Sequence, residues 1–200
     1  MALAAALLDQ LGYDTVDALG VSWGGKLAQE FAHEYPTRCR RLILEATTPG
    51  HIMVPGRLSV ILRMASPLRY ISPDYMKSIA GKIYGGSLRT NKLGARQHAG
   101  RMQPPSTLGY YYQVLSLFGW SSLPWLHKLQ QPTLVLAGDD DPIVRLVNSR
   151  VLAACIPDAR LRVVDCGHLF LLTRAKVLGP EIEDFLTATS SPEVAGPALN

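Results

Sequence analysis

A serine between glycines is the first feature of the sequence that could do chemistry. Residues 20–24 read Gly-Val-Ser-Trp-Gly, and the apolar run Val16–Val21 leads directly into them. A strand that turns sharply into a helix at such a motif lifts the serine Oγ into the open, because small flanking residues avoid clashes. The helix N-terminus adds partial positive charge, and the N–H of Trp23 becomes an oxyanion donor. The motif predicts that Ser22 is a nucleophile.

Two later turns supply the partners that a serine nucleophile needs. Residues 138–142 read Gly-Asp-Asp-Asp-Pro and residues 165–168 read Asp-Cys-Gly-His, each at the end of an apolar run. The order Ser22, Asp141, His168 is typical of one large class of serine hydrolases. In that class the histidine takes the serine proton and the carboxylate fixes the histidine tautomer. We therefore predict a triad of these three residues.

Each triad residue also has a plainer interpretation. The alternative for Ser22 is an ordinary turn serine, and the alternative for His168 is a capping or core histidine. Asp139 and Asp140 have the residue type that is typical of turns and caps, so the orienting carboxylate is assigned to Asp141.

Other residues near these turns offer different chemistry. Glu45 ends the second predicted strand and is a rival orienting acid. Cys166 lies two residues before His168, but residues i and i+2 leave a turn in different directions, which disfavours a Cys–His pair. The Asp triplet lacks an H-x-x-x-H motif or a matching carboxylate pair. We predict no metal ion and no cofactor.

The elements that position these residues alternate along the chain. Helices are predicted at 2–12, 26–33 and 177–186, and strands at 16–21, 41–46, 133–138 and 161–165. Near-continuous apolar strands alternating with helices indicate an α/β fold with a parallel sheet covered on both faces. Open sheets of this kind place their sites at the carboxyl ends of the strands, where all three triad residues fall. In the second helix we expect Leu27, Ala28, Phe31 and Ala32 to face inward.

The middle of the chain interrupts this alternation and is rich in Pro, Gly and basic residues. We therefore predict a first core part at 1–46, a helical cap at 47–131, a second core part at 132–189 and a disordered tail at 190–200.

Aromatic residues in the predicted cap have two interpretations. They are Tyr110, Tyr111, Tyr112, Phe118, Trp120 and Trp125. One interpretation is that they form the cap's own core, and the other is that some wall an apolar acyl-binding cleft. For the second we name Tyr111 and Trp120 as substrate-binding residues.

Charge is unevenly distributed over the 200 residues. Residues 51–138 contain ten Lys or Arg and one acid, while the whole chain carries a net charge of +4. The plainer interpretation of a basic insertion on an acidic body is a solvated face, and the alternative is a surface for a negatively charged partner. Nucleic acid is disfavoured, because the basic residues are single and spaced by apolar ones.

The composition also predicts the cellular location of the protein. No run approaches the roughly 20 apolar residues of a transmembrane helix, and Asp9 interrupts an N-terminus that lacks the basic start of a signal peptide. Three cysteines without a C-x-x-C motif disfavour a disulfide framework. These features predict a cytoplasmic protein with reduced thiols.

Short sequence segments along the chain match one protein family. They are GVSWGG at 20–25, AHEYPTRCRRLIL at 32–44, MVPG at 53–56, MASPLRY at 64–70, IYGG at 83–86, GYYYQ at 109–113, WLHKLQQPTLVLAGDDDP at 125–142 and GHLFL at 167–171. Across nearly all of residues 1–188 the chain resembles the intracellular medium-chain-length poly(3-hydroxyalkanoate) depolymerases of bacteria, within the α/β-hydrolase superfamily. The resemblance implies hydrolysis of the ester bonds of a storage polyester, with release of 3-hydroxyacids. It places the nucleophile on Ser22, the acid on Asp141 and the base on His168.

The resemblance leaves partner and substrate alternatives. The basic cap suggests association with the surface of storage granules. Other capped α/β-hydrolases, such as C–C bond hydrolases and small-ester esterases, share the same triad order.

One departure from the family concerns what precedes the nucleophile. In this fold the nucleophile follows the fifth strand, whereas one helix and one strand precede Ser22 here. We therefore expect an N-terminally truncated form that lacks the first four strands and the loop that supplies the second oxyanion donor. The strand at 16–21 is then an open edge. The alternative function is a weak or inactive fragment, because losing one donor costs about 10²–10³ in rate.

Overall fold

A four-stranded parallel sheet forms the centre of the protein. The computed structural model describes residues 1–101, 106–116 and 119–188. The strands lie side by side in sequence order and are β1 Val16–Val21, β2 Cys39–Glu45, β3 Thr133–Gly138 and β4 Ala159–Val164. Among the described residues β1 has a neighbouring strand on one side, as the prediction of an open edge requires.

The helices in chain order are α1 Ala2–Leu11, α2 Trp23–Glu34, α3 Leu58–Ala65, α4 Leu68–Ile71, α5 Pro73–Tyr84, α6 Lys92–Arg101, α7 Thr107–Leu115, α8 Leu146–Cys155, α9 Phe170–Thr173 and α10 Ala175–Thr187. Two 3₁₀ turns lie at Gly86–Arg89 and Leu126–Lys128. Helices α3–α7 therefore fall inside the predicted cap, and the others accompany the sheet.

Both faces of the sheet are covered, because alternate residues of a strand point to opposite sides. Leu42 and Leu44 of β2 pack with Phe31 of α2 in one cluster. Ile43 packs on the other face with Leu178 of α10. The prediction of a doubly covered parallel sheet is confirmed.

Two sequence predictions about α2 are wrong in detail. The helix begins at Trp23 rather than Lys26, because the turn at Ser22 passes directly into the first helical turn. Leu27, predicted to face inward, is 40% exposed. Ala28, Phe31 and Ala32 are buried as expected, so the inward face is the one that they define.

The cap helices have a separate apolar core. Val60 of α3 packs against Met76, Ile79 and Ile83 of α5, with Leu88 at the adjoining 3₁₀ turn. These helices of the predicted cap are thus held together by their own side chains. The predicted tail at 190–200 lies outside the described residues.

Cys39, Cys155 and Cys166 are free thiols. None of the helices in the described ranges is long and apolar enough to cross a membrane.

Candidate active site

Ser22 stands in a strained turn between β1 and α2. Its φ of 51° and ψ of −115° are sparsely populated for a residue with a Cβ, at a cost of about 1–3 kcal/mol. The turn is held by three bonds: Ser22 N–H donates to the Glu45 carbonyl (2.8 Å), and the Ser22 carbonyl accepts from Gly25 N–H (3.0 Å) and from Thr47 Oγ1 (2.7 Å). The surroundings therefore fix the backbone of the predicted nucleophile.

The three glycines around Ser22, at positions 20, 24 and 25, differ in what they contribute to this turn. A Cβ on Gly20 would lie 2.5 Å from the Gly24 carbonyl oxygen and 2.7 Å from Ala28 Cβ, and a Cβ on Gly25 would lie 2.3 Å from Thr47 Oγ1. A Cβ on Gly24 would meet nothing within 4 Å. The close approach of strand and helix thus requires Gly20 and Gly25 rather than the second glycine of the motif.

The structure brings the three predicted triad residues into one chain of hydrogen bonds. His168 Nε2 lies 3.1 Å from Ser22 Oγ, and His168 Nδ1 lies 2.6 Å from Asp141 Oδ2. The second oxygen of Asp141 accepts N–H groups from Ile143 (2.8 Å) and Val144 (3.0 Å). The Asp141 and His168 side chains are 1% and 6% exposed, so water does not compete for their bond. This geometry suits proton transfer from the hydroxyl to the imidazole.

The His168 turn is also bound by the cap. His168 N–H donates to the Tyr84 carbonyl at 2.7 Å. The rings of these two residues lie nearly parallel, with centroids 6.3 Å apart. The end of α5 therefore helps to fix the imidazole.

The other two acids of the triplet hold neighbouring segments. Asp139 Oδ1 accepts the Cys166 N–H at 3.1 Å. Asp140 receives two bonds from Arg89, at 2.7 and 2.8 Å, and a third from Gly86 N–H at 2.8 Å. Hydrogen bonding to Arg89 lowers the pKa of Asp140 and keeps it ionised. We call the Arg89–Asp140 pair the cap clasp, because it ties the cap to the loop of Asp141.

Loosening the cap clasp is expected to slow turnover. Arg89→Gln leaves Asp140 without its bidentate partner, so the adjacent Asp141 loop is less well positioned, and we expect kcat to fall about tenfold. Arg162→Gln is the matched control, because Arg162 makes the same bidentate pair with Glu181, at 2.8 and 3.0 Å, beside β4. Steady-state ester hydrolysis compares the two variants. Equal kcat values for both would show that the clasp has no part in positioning.

Trp23 links the nucleophile turn to the cap through its side chain. Its indole Nε1 donates to Ser116 Oγ at 2.8 Å, and Lys26 donates to the Ser116 carbonyl. The backbone N–H of Trp23 is in the first turn of α2, where N–H groups lack intrahelical acceptors. Its role as the predicted oxyanion donor stays a prediction.

Glu45, the rival orienting acid, occupies a different position. Its side chain is buried, Oε1 accepts the Leu171 N–H at 3.2 Å, and Oε2 has no hydrogen-bond partner among the described residues. Nδ1 of His168 is bonded to Asp141 instead. Burial raises the pKa of Glu45 to about 7, against the opposing effects of the Leu171 N–H and the charge of His168.

The buried carboxyl of Glu45 is expected to make stability depend on pH. The pKa is about 7 in the folded protein, against an ordinary value of 4.5, so ionisation opposes folding. The penalty is absent below about pH 4.5, grows as pH rises, and reaches about 3 kcal/mol above pH 7. Glu45→Gln removes it, so the free energy of unfolding of the variant relative to wild type should increase by about that amount between pH 4.5 and 8.5. Urea unfolding at both pH values measures this, and a pH-independent difference would contradict it.

The two aromatic residues predicted to bind substrate, Tyr111 and Trp120, lie in different surroundings. Tyr111 on α7 is 49% exposed. Trp120 donates from Nε1 to Glu30 at 2.6 Å, has Lys26 Nζ 4.9 Å above its ring and contacts Trp125 edge-on. Trp120 therefore packs against α2, and a substrate role for either residue stays a prediction.

The interpretation of the aromatics as the cap's own core is wrong for the two tyrosines whose side chains are described. Tyr111 and Tyr112 are both exposed, because α7 turns this side to solvent. The Tyr110 side chain and Phe118 lie outside the described residues.

The two remaining alternatives from the sequence are a Cys–His pair at Cys166 and a metal site. Cys166 Sγ lies 3.2 Å from Thr173 Oγ1, while both ring nitrogens of His168 are bonded to the triad partners, so a Cys–His pair is not formed. Among the side chains that the structure describes, no three His, Cys, Asp or Glu converge as a metal site would require.

Comparison with known proteins places the chain in a family. The family model for the alpha/beta hydrolase fold matches residues 2–175. The chain belongs to the α/β-hydrolase fold family. Solved α/β-hydrolase structures of similar shape include a hydrolase from Pseudomonas aeruginosa PA01 (TM-score 0.76, 22% identity, 92% of this chain and 69% of that one) and the enol-lactonase from Burkholderia xenovorans LB400 (TM-score 0.75, 18% identity, 92% and 70%). These likenesses bear on the fold.

Similar sequences include two bacterial enzymes. The chain is 53% identical over 184 residues to the poly(3-hydroxyalkanoate) depolymerase of Ectopseudomonas oleovorans, covering 92% of this chain. It is 32% identical to the 2-hydroxy-6-oxononadienedioate/2-hydroxy-6-oxononatrienedioate hydrolase of Comamonas testosteroni, covering 90% of this chain. The chain spans 65% of the length of each of these two relatives.

Proposed function

We propose that this α/β-hydrolase is a carboxylic ester hydrolase in which Ser22 is the nucleophile, His168 the base and Asp141 the orienting acid. The observation that supports it is the unbroken chain of hydrogen bonds from Ser22 Oγ through both imidazole nitrogens to a buried carboxylate. That arrangement pairs a nucleophile with a base and the base with an orienting group, as acyl transfer requires.

The reaction follows from the positions of these groups. Ser22 Oγ attacks the ester carbonyl while His168 Nε2 takes its proton, and Asp141 stabilises the imidazolium. The Trp23 N–H donates to the developing oxyanion. His168 then protonates the leaving alcohol. The alcohol departs, and the acyl group stays bound to Ser22 Oγ as an ester. Water activated by His168 hydrolyses that ester and restores the serine.

The proposed substrate is the ester linkage of a medium-chain poly(3-hydroxyalkanoate). The likeness to the Ectopseudomonas oleovorans depolymerase supports it, since 53% identity extends over 92% of this chain and thus includes the cap. We place the cap at 47–131 over the site, where Tyr111 and Trp120 would contact the acyl chain. The product would be a 3-hydroxyacid.

A comparison of polymer and small esters tests this substrate. The chain is incubated with a suspension of medium-chain polyester and, separately, with p-nitrophenyl octanoate, and released 3-hydroxyacid and nitrophenol are quantified. The proposal predicts both products. Cleavage of the aryl ester without release of hydroxyacid would instead identify a small-ester esterase.

The proposed location is the cytoplasm, at the surface of storage granules. The basic residues of the cap, including Arg57 and Arg63, would provide the attraction. Since salt screens exposed charges, adsorption to polyester granules should weaken between 20 mM and 500 mM NaCl. Adsorption that does not change with salt would exclude the electrostatic contribution.

A further inference from the structure

The cap contains a cavity that the proposed reaction does not use. It has a volume of about 580 Å³ and lies among α5, the 3₁₀ turn at Gly86–Arg89 and α6. Leu88, Ala95 and Gly81 supply an apolar part of its lining. Its volume lies within the range of small-molecule sites, which combine an apolar lining with a few polar groups.

Positive charge dominates the polar part of the lining. Four cations, Lys77, Lys82, Arg89 and Arg96, face one carboxylate, Asp74. Asp74 is engaged by Lys77 at 2.8 Å. Lys82 and Arg96 make no ion pair with any residue that the structure describes. The charge of Arg96 nevertheless helps to lower the pKa of Asp74, after the larger effect of Lys77. Cations gathered around a concave surface attract anions more strongly than scattered ones do.

Arg89 connects this cavity to the catalytic loop. Its Nε and Nη2 donate to Asp140, the neighbour of Asp141. A guanidinium has five N–H donors, so three remain for a ligand in the cavity. An anion bound there would share Arg89 with Asp140 and weaken the cap clasp.

We propose that this cavity binds a medium-chain carboxylate, with the carboxylate at Lys82, Arg96 and Arg89 and the alkyl chain toward Leu88 and Ala95. The two parts of the lining match the two parts of such a molecule. The 3-hydroxyacid products of the proposed function are carboxylates of this class, so binding of a product at this cavity would inhibit the enzyme. This inference of product feedback rests on the proposed function. The binding itself does not.

Titration calorimetry with sodium octanoate tests the site in the full chain that carries Ser22→Ala. We expect the double variant Lys82→Met/Arg96→Met to weaken octanoate binding about tenfold, since each exposed charge contributes modestly. The matched control is Lys128→Met/Arg150→Met, which removes the same charge outside the cavity and should bind as before. Octan-1-ol and inorganic phosphate, which each carry one half of the ligand, should bind more weakly than octanoate.

Other outcomes would overturn the proposal. Equal octanoate binding by the two double variants would exclude the cavity, and tighter binding of phosphate or octanol would exclude the ligand class. Far-ultraviolet circular dichroism checks that the variants fold, and a binding constant that falls with added NaCl in the unsubstituted chain gives a second test without mutation.

Coupling to the triad has its own measurement. With the active chain, octanoate should lower kcat for a p-nitrophenyl ester, and the Lys82→Met/Arg96→Met variant should lose this effect while keeping its basal kcat. Unchanged kcat at saturating octanoate would exclude the coupling. Octanoate binding without any ester turnover would support the binding site and refute the proposed function. Ester turnover without octanoate binding would support the proposed function and refute the binding site.

Discussion

Ser22→Ala is expected to lower kcat for ester hydrolysis by about 10⁴-fold or more, because removal of a nucleophile leaves only binding and oxyanion stabilisation. The alanine keeps the Cβ and the backbone bonds to Glu45 and Thr47, so the urea unfolding midpoint should not change. Release of nitrophenol from p-nitrophenyl octanoate measures the loss. Ser59→Ala, in an exposed position on α3, is the matched control and should retain full activity.

A Ser22→Ala variant that folds normally and keeps more than a tenth of the wild-type kcat would contradict the assignment. The elbow would then be a structural turn, which is the plainer interpretation that the sequence left open for this serine.

Asp141→Asn is expected to lower kcat by about 10⁴-fold while the loop keeps its shape. The amide oxygen can still accept from Ile143 and Val144, as Oδ1 does now. The NH₂ group then faces His168 Nδ1 in place of Oδ2. Nδ1 must become the acceptor, so Nε2 carries the proton and cannot take one from Ser22. Steady-state kinetics measures the loss, and the exposed Asp158→Asn is the control.

Glu45→Gln separates the two acids that the sequence offered. The structure bonds His168 to Asp141 and leaves Glu45 at Leu171, so the Glu45 variant should keep kcat within about a few-fold of wild type. A loss as large as that expected for Asp141→Asn would instead make Glu45 the orienting acid.

The sheet and the meeting of the triad residues followed from local sequence signals. Apolar runs such as Thr133–Gly138 marked buried parallel strands, and the bounds of that strand match the structure. The carboxyl ends of parallel strands share one edge of the sheet. Residues in the turns that follow such strands, including Ser22 after β1 and His168 after β4, therefore had to lie near one another. The glycines in these turns indicated which residues they were.

The cap clasp could not be found in this way. Arg89 and Asp140 are 51 positions apart, and nothing in the spacing of a single arginine identifies its partner. Asp140 has the residue type of a common turn residue, and only the packing of the cap shows that it holds the loop of Asp141. Leu27 was mispredicted for a similar reason, because its burial depends on whether another element packs against that side of α2 and not on its apolar side chain alone.

The charge of the cap was visible in the sequence, but its arrangement was not. Lys77 and Lys82 of α5 line the cavity together with Arg96 of α6. Their assembly around one cavity depends on how these two helices pack. Composition therefore showed that the cap is basic without showing where an anion would bind.

Trapping the acyl-enzyme tests the catalytic assignment most directly. The chain is mixed with p-nitrophenyl octanoate, quenched in acid within seconds and digested, and the peptides are mapped by mass spectrometry. We predict an octanoyl group on Ser22 and none in the Ser22→Ala variant. An octanoyl group on a different side chain, or steady turnover by a protein in which Ser22 is never acylated, would contradict it.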